Sequence, residues 1–279
     1  MKHDQEKLRR YLSLWELSAV EDPFYTATSL LQKVVDTKGR FCLLKITNNA
    51  DEMRGIAQLE IWSKADNGAS VKVFQTGHEA ILLAYAKESR SLLPEALDEK
   101  GHISVSARMA KRLVMLHQSP PLSKFKDLIP LTIVFESSML LETDSVLLQK
   151  AKLISQELLN APVSHVSLHG DAHHGNFLYF SATDVRAIDS KGFYGEHYFD
   201  YLPLFINPDL GMMRVNIKLF EEKLVMLCHS DNDYGLERDR LIRWIYVGCA
   251  LSAAWFLEDN MQEEAQQQLR LLAFIDSFL

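Results

Sequence analysis

At 279 residues the chain can hold one large domain or two lobes with a substantial core, and its 47% hydrophobic and 24% charged residues are ordinary for a globular protein. A net charge of -7 argues against a nucleic-acid binder, which shows a basic face, and is compatible with a cationic small-molecule partner as well as with plain solubility. Three cysteines, Cys42, Cys228 and Cys249, stand in apolar surroundings and are too few for a disulfide framework, as expected of a reduced, cytoplasmic protein.

The N-terminal stretch MKHDQEKLRRYL is charged and unlike a secretory signal. Leu8, Tyr11, Leu12, Leu14, Trp15 and Leu17 recur at a loosely helical spacing and predict a leading helix within residues 1–20. Phe24 to Val35 predicts two short strands, Asp36 to Gly39 a turn, and Arg40 to Ile46 the next strand. Asn48-Asn49-Ala50-Asp51 is a helix start, with Ile56, Leu59, Ile61 and Trp62 supplying the buried face. Asn67-Gly68 signals a hairpin, and strands are expected over 70–74 and 80–83 before the chain crosses to its second part at Ala84-Tyr85.

Lys87 to His102 is polar and carries the breakers Pro94 and Gly101, so the next helix is expected to be capped by Ser104, with Val105, Met109, Leu113 and Leu116 on one face. Pro130 to Leu141 is ambiguous. Thr143-Asp144 predicts the cap of a helix through Leu159, with Val146, Leu147, Ile154 and Leu158 inward. Further helices are expected over 212–228, 238–258 and 263–278; within them the longest apolar run, Trp244 to Leu257, is too short for a membrane span and fits a buried helix. Short strands in front and helices behind predict a two-lobed α+β arrangement.

Between the helix expected to end at Leu159 and the one expected over 212–228 lies the stretch that carries chemistry. Val166-Ser167-Leu168 ends a strand-like run from Val163, and His169-Gly170-Asp171 follows directly. Asn176 comes five residues after Asp171, and two short apolar segments follow, Phe177 to Phe180 and Val185 to Ile188, the second ending in Asp189. Three polar groups near strand ends at this spacing match the parts of a phosphotransferase: one carboxylate to accept the proton of an attacking hydroxyl, an amide and a second carboxylate to hold Mg²⁺. His169, His173 and His174 beside two aspartates could instead bind zinc. Gly170 and Gly175 favour a loop over the helix on which such a pair converges best, and the spacing of Asp171 and Asn176 argues against that metal.

LHGDAHHGNFL, AIDSKGFYGEHYFDY and FINPDL together resemble the catalytic core of the aminoglycoside phosphotransferases, and more closely the branch with streptomycin 6-kinases and hydroxyurea phosphotransferases. The resemblance implies a protein-kinase-like α+β fold. A small mixed-sheet nucleotide-binding lobe would span residues 1–84, and a larger, mainly helical catalytic and substrate-binding lobe residues 85–279. It implies ATP and Mg²⁺ as cofactors, Asp171 as catalytic base, Asn176 and Asp189 as metal ligands, and Lys45 on the phosphates. Glu52, within Asp51-Glu52-Met53-Arg54-Gly55, is the expected partner of Lys45, with Glu60 the alternative. No glycine-rich loop precedes Lys45; Tyr25 to Ser29 offers hydroxyls, of which Ser29 is the candidate phosphate contact. His169 and His173 are expected to organise the loop and Asp200 to anchor it, while Lys191 contacts phosphate, substrate or a structural acid. The acceptor is expected to be a small cationic hydroxyl compound met by Glu196, Asp209, Glu258, Asp259 or Trp255, with no nucleic acid or membrane partner. The rival activities are a housekeeping amino-alcohol or sugar kinase of the same fold, and a non-catalytic nucleotide- or ligand-binding protein.

Overall fold

The computed structural model of the chain describes residues 2–87, 90–118, 120–140, 144–208, 216–230 and 233–279. A leading helix α1 (Lys2–Leu14) lies on an antiparallel sheet of β1 (Ser18–Ala19), β2 (Phe24–Tyr25), β3 (Ser29–Val35), β4 (Phe41–Thr47), β5 (Val73–Thr76) and β6 (Ala80–Ala84). The strand order is β1-β3-β4-β6-β5, with β2 paired to β3. Side chains alternate across β4, and this decides where its lysine goes. Cys42, Leu44 and Ile46 are buried with Leu8 and Tyr11 of α1 and with Leu30, Val34 and Leu82 of the sheet. Lys45 therefore faces the other way, in register with Leu31 and Ile81.

Helix α2 (Ala50–Ala65) begins where the sequence predicts, with the Asn49 side chain accepting from the backbone N–H groups of Asp51 and Glu52 at 2.9 and 3.1 Å. It buries Ile56, Leu59 and Trp62. Gly55 is required by contact rather than by backbone angle: a Cβ there would stand 1.8 Å from the Ser190 carbonyl oxygen. Gln58 fastens the same helix to the rear of the molecule, donating to the Leu168 carbonyl at 2.8 Å and accepting from the Gly192 N–H at 3.0 Å.

The rear part is mainly helical. After the short α3 (Leu93–Ala96), α4 (Glu99–Gln118) starts five residues before Ser104, whose hydroxyl instead bonds back to the Gly101 carbonyl. Gly101 is no breaker, because its missing Cβ lets α4 approach the Glu95 carbonyl, which a methyl would meet at 2.2 Å. The ambiguous stretch forms β7 (Ile129–Pro130), α5 (Leu131–Val134) and α6 (Glu136–Leu140). Helix α7 (Val146–Asn160) is capped by Ser145, with Val146 exposed rather than inward; Thr143 lies outside the described residues. Then come β8 (Val166–Leu168), β9 (Phe177–Tyr179), β10 (Val185–Ala187) and β11 (Phe193–Gly195), the short α8 (Pro203–Ile206), and α9 (Ile217–Leu227) capped by Asn216. Residues 212–215 of the helix predicted there are outside the described residues.

Helix α10 (Arg238–Glu258) matches its predicted bounds, and α11 (Gln262–Asp276) closes on it. By length and composition α10 could cross a membrane, contrary to the expectation from its apolar run alone, but 67% of its most apolar window is buried inside the protein. Its apolarity is that of a central core helix packed by α7 and α11. The outcome is the two-lobed α+β arrangement expected.

One buried charge carries a stability cost that depends on pH. Lys223 on α9 is 4% exposed, hydrogen-bonded to the Leu204 carbonyl and set over the Phe205 ring, with the imidazoles of His102 and His174 nearby. Burial drags its pKa down to about 7. Between that value and the ordinary lysine value of about 10.4, the unfolded chain holds a proton that the folded chain lacks. Stability therefore rises with pH across this window, and the cost is fully present below it. Lys223→Met should stabilise the protein by roughly 1–3 kcal/mol near pH 6, discounted for the lost hydrogen bond, and the gain should vanish toward pH 10. Urea unfolding at both pH values checks this.

Candidate active site

Lys45 is the junction of the two lobes. It is 7% exposed, and its Nζ forms an ion pair with Glu52 from α2 and lies 2.5 Å from Asp189 Oδ1 beyond β10. Burial alone would lower its pKa; Asp189 and then Glu52 outweigh that and raise it, so the amine stays charged. Glu60, the alternative partner, pairs with Lys64 instead. At the β2–β3 turn, Thr28 donates its hydroxyl to Glu52 Oε1 at 3.1 Å, so this turn residue joins the cluster. Ser29 opens β3 with a buried hydroxyl that has no partner among the described residues. The signal for Thr28 was legible as a hydroxyl in a glycine-free turn, but its partner was not.

The loop after β8 is held from beneath. The Asp200 carboxylate, 1% exposed, accepts from the backbone N–H of His169 at 2.7 Å and of Gly170 at 2.8 Å, and His117 Nε2 lies 2.8 Å from it. His169 is fully buried, bonded through Nε2 to the Ile188 carbonyl at 2.7 Å and stacked on Phe177. Burial pushes its pKa down despite the nearby Asp200 and Asp171, so it is a neutral scaffold. His174 turns away from His169 and stacks on His102 of α4, with ring centroids 5.5 Å apart. This second histidine pair was invisible in the sequence, because its partner lies 72 residues upstream by numbering (174 minus 102).

These supports leave Asp171 projecting beside Lys191 and His173. Lys191 Nζ is 3.5 Å from Asp171 Oδ2, and His173 Nε2 is 3.9 Å from Oδ1. Asn176 donates its Nδ2 to the Asp171 backbone carbonyl at 2.9 Å, which leaves its Oδ1 for another partner. The Asn176 carbonyl in turn accepts from the Ile188 N–H at 2.9 Å, tying the Asp171 loop to Asp189. Asp189 adopts a left-handed backbone conformation, φ 55°, and keeps Oδ2 without a protein partner among the described residues. Asn176 Oδ1 and Asp189 Oδ2 are hard oxygen donors of the kind Mg²⁺ prefers, so this pair fits that ion. Among the described residues no three His, Cys, Asp or Glu side chains group as a metal site, so such an ion would complete its shell with phosphate and water oxygens.

Two cavities flank this seam. One lies between the sheet and the rear part, lined by Phe24, Leu31, Leu43, Leu83, Tyr85, Phe180 and Ile188, with Lys45 and Asp189 at one end. Glu21, Asp22 and Lys33 also line it; the apolar side chains beside the Lys45–Asp189 pair suit a flat base carrying phosphates. The other starts at Asp171 and His173 and runs along Leu202, Ile206, Leu251, Trp255 and Phe256. Trp255, one of the expected acceptor contacts although it stands in an apolar run, is 39% exposed and lines this wall.

The described acids expected to meet the acceptor, Glu196, Glu258 and Asp259, are elsewhere. Glu196 is buried under Arg240, whose Nε and Nη2 both lie 2.6 Å away, and it also accepts from Trp244 Nε1 at 2.8 Å, a structural ion pair that leaves nothing for a ligand. Glu258 and Asp259 are exposed at the end of α10 and do not line the cavity. Asp209 lies outside the described residues.

The family model described as aminoglycoside/hydroxyurea antibiotic resistance kinase matches residues 14–260. A streptomycin 3''-kinase of Klebsiella pneumoniae is 33% identical over 223 residues, 78% of this chain and 80% of that protein. A streptomycin 6-kinase of Streptomyces glaucescens is 24% identical over 262 residues, 89% of this chain and 81% of that protein. Among solved structures, a choline/ethanolamine kinase family protein of Mesorhizobium loti superposes with a TM-score of 0.69 at 16% identity, covering 97% of this chain and 94% of that one.

Proposed function

Because this chain belongs to the aminoglycoside phosphotransferase family, as one of the aminoglycoside/hydroxyurea antibiotic resistance kinases, we propose that it transfers the γ-phosphoryl group of ATP to a hydroxyl of a streptomycin-like aminoglycoside. It is an ATP-dependent phosphotransferase with an alcohol group as acceptor, and its fold is protein-kinase-like. The observation that carries the acceptor side is the cavity that begins at the Asp171 carboxylate. Its volume is about 350 Å³ behind an open mouth, which hydroxyurea would leave largely unfilled and a ring of a larger glycoside would not.

In this proposal residues 1–84 form the nucleotide-binding lobe and residues 85–279 the catalytic one. The nucleotide lies in the cavity against Tyr85 and Phe180. Lys45, oriented by Glu52, holds its phosphates, and the Thr28 hydroxyl at the turn lies close by. Asn176 and Asp189 hold Mg²⁺, which when bound neutralises phosphate charge. Asp171 hydrogen-bonds the acceptor hydroxyl and takes its proton as the new oxygen–phosphorus bond forms and the bond to the departing ADP breaks. Lys191 sits where charge on the transferred group develops, and its position beside Asp171 supports that role over a remote ion pair.

The test is ATP-dependent phosphorylation by the purified protein across streptomycin, hydroxyurea and choline, read as ADP release and as a phosphorus NMR signal of the product. Streptomycin should stimulate ADP release at least tenfold over the acceptor-free rate. Stimulation by choline alone would assign the site to an amino alcohol. A sensitive host expressing the protein should grow on streptomycin.

A further inference from the structure

Helix α11 turns one face toward α10 with a periodic set of buried positions. Ala265, Leu271, Leu272 and Ile275 are apolar, as a helix–helix seam requires, but position 268 on the same face is a glutamine. Gln268 is 3% exposed, and its Oε1 is buried with no hydrogen-bond partner among the described residues. An unpaired buried amide oxygen opposes folding, and a leucine would fill the seam without that cost. What distinguishes the position is that it also lines the cavity beginning at Asp171.

The rest of that wall is built to match. Gly248, Leu251, Ser252 and Trp255 follow one another at helical spacing along α10 and line the same cavity. At Gly248 a Cβ would come within 2.6 Å of Leu202 Cδ1, so the leucine end would have to turn aside. Asp171 is the only carboxylate lining the cavity among the described residues. Recognition away from the reacting hydroxyl therefore falls to aromatic faces and to the neutral polar groups of Gln268, Asn207 and Ser252 rather than to pairs with further carboxylates.

Resting on the acceptor site proposed above, we infer that Gln268 is a specificity residue: its side-chain amide, whose oxygen no protein group satisfies, turns to take an N–H or O–H of the acceptor while Trp255 covers an adjoining flat or cationic face. The acceptor class is then a hydroxylated ring compound bearing an amino or guanidino donor on the side away from the hydroxyl attacked. A site that leaves a buried polar atom unpaired discriminates against analogues lacking the matching donor far better than an apolar wall can.

The experiment compares the wild type with Gln268→Leu and Gln268→Glu, using streptomycin as the acceptor, and measures KM for streptomycin, KM for ATP and the melting temperature. Gln268→Leu should raise KM for streptomycin at least tenfold and leave KM for ATP unaltered, the mark of lost acceptor binding. It should melt no lower than the wild type, because it removes an unpaired polar atom rather than a bond. Gln268→Glu should recover most of the lost affinity at low salt through a charged acceptor oxygen. An unaltered KM for streptomycin in Gln268→Leu would overturn the assignment, as would a melting temperature several degrees below the wild type, which marks a structural amide. If the wild type itself leaves streptomycin unphosphorylated, the acceptor proposal falls, and the melting temperatures still decide between a structural and a ligand-facing Gln268.

Discussion

Asp171→Ala should lower turnover by at least about 10³ while ATP affinity stays within roughly threefold of the wild type. The asymmetry follows from the position of the side chain. Asp171 lines the cavity proposed for the acceptor, whereas Lys45 and Asp189 line the other. The loop itself does not depend on the carboxylate: the residue's backbone N–H faces His169 Nδ1 at 3.3 Å and its carbonyl accepts from Asn176, and both survive truncation. The substitution therefore removes a proton acceptor and leaves its scaffold. Single-turnover kinetics alongside calorimetric titration with ATP separates the two quantities. Activity within tenfold of the wild type would transfer the role of base to another group.

A second large effect is expected from one methyl group. Gly55→Ala puts a Cβ 1.8 Å from the Ser190 carbonyl oxygen and 2.9 Å from its carbon, both backbone atoms that cannot rotate aside. Helix α2 and the segment after Asp189 are further clamped by the Ser190 hydroxyl on the Gly55 carbonyl at 3.1 Å and by the two hydrogen bonds of Gln58. Relief requires the helix to lift, and Glu52 lifts with it, away from Lys45. Overpacking of this kind costs about 3 kcal/mol or more, so the melting temperature should fall by roughly 6–12 °C. Activity at a temperature where the variant is still folded should fall as well, because the Lys45 junction is displaced. A variant that melts with the wild type would mean that the helix and the segment move independently.

The sequence made the local parts of this protein legible. Arg40 to Ile46 reads as a strand, Asn48 to Asp51 as the start of α2, and the run from His169 to Asp189 carries its own spacing, while Lys45 and Glu52 came from the resemblance. Long-range events were hidden. Nothing near Glu196 announced that Arg240 and Trp244, more than forty residues on, would bury it. Trp255 sits in an apolar helical run that reads as core, and only the packing of α10 against residues 202–206 on one side and α11 on the other shows that one stripe of it borders a cavity. Gly101 was misjudged for the same reason: composition suggests a break, while the cause is a close contact between two helices.

The left-handed backbone at Asp189 also shapes how the protein can decay. At φ 55° a side chain with a Cβ is disfavoured unless it is short and polar, so asparagine, or glycine without a Cβ, can replace this aspartate at little conformational expense. Both are uncharged. The substitutions easiest for the backbone to absorb are thus those that release Lys45 from one of its two carboxylates, and a lineage freed from selection for turnover would lose the proposed metal ligand here while its surface and cavities persisted, at a cost in stability from the buried lysine. A silent copy of this enzyme would look intact everywhere except at one carboxylate.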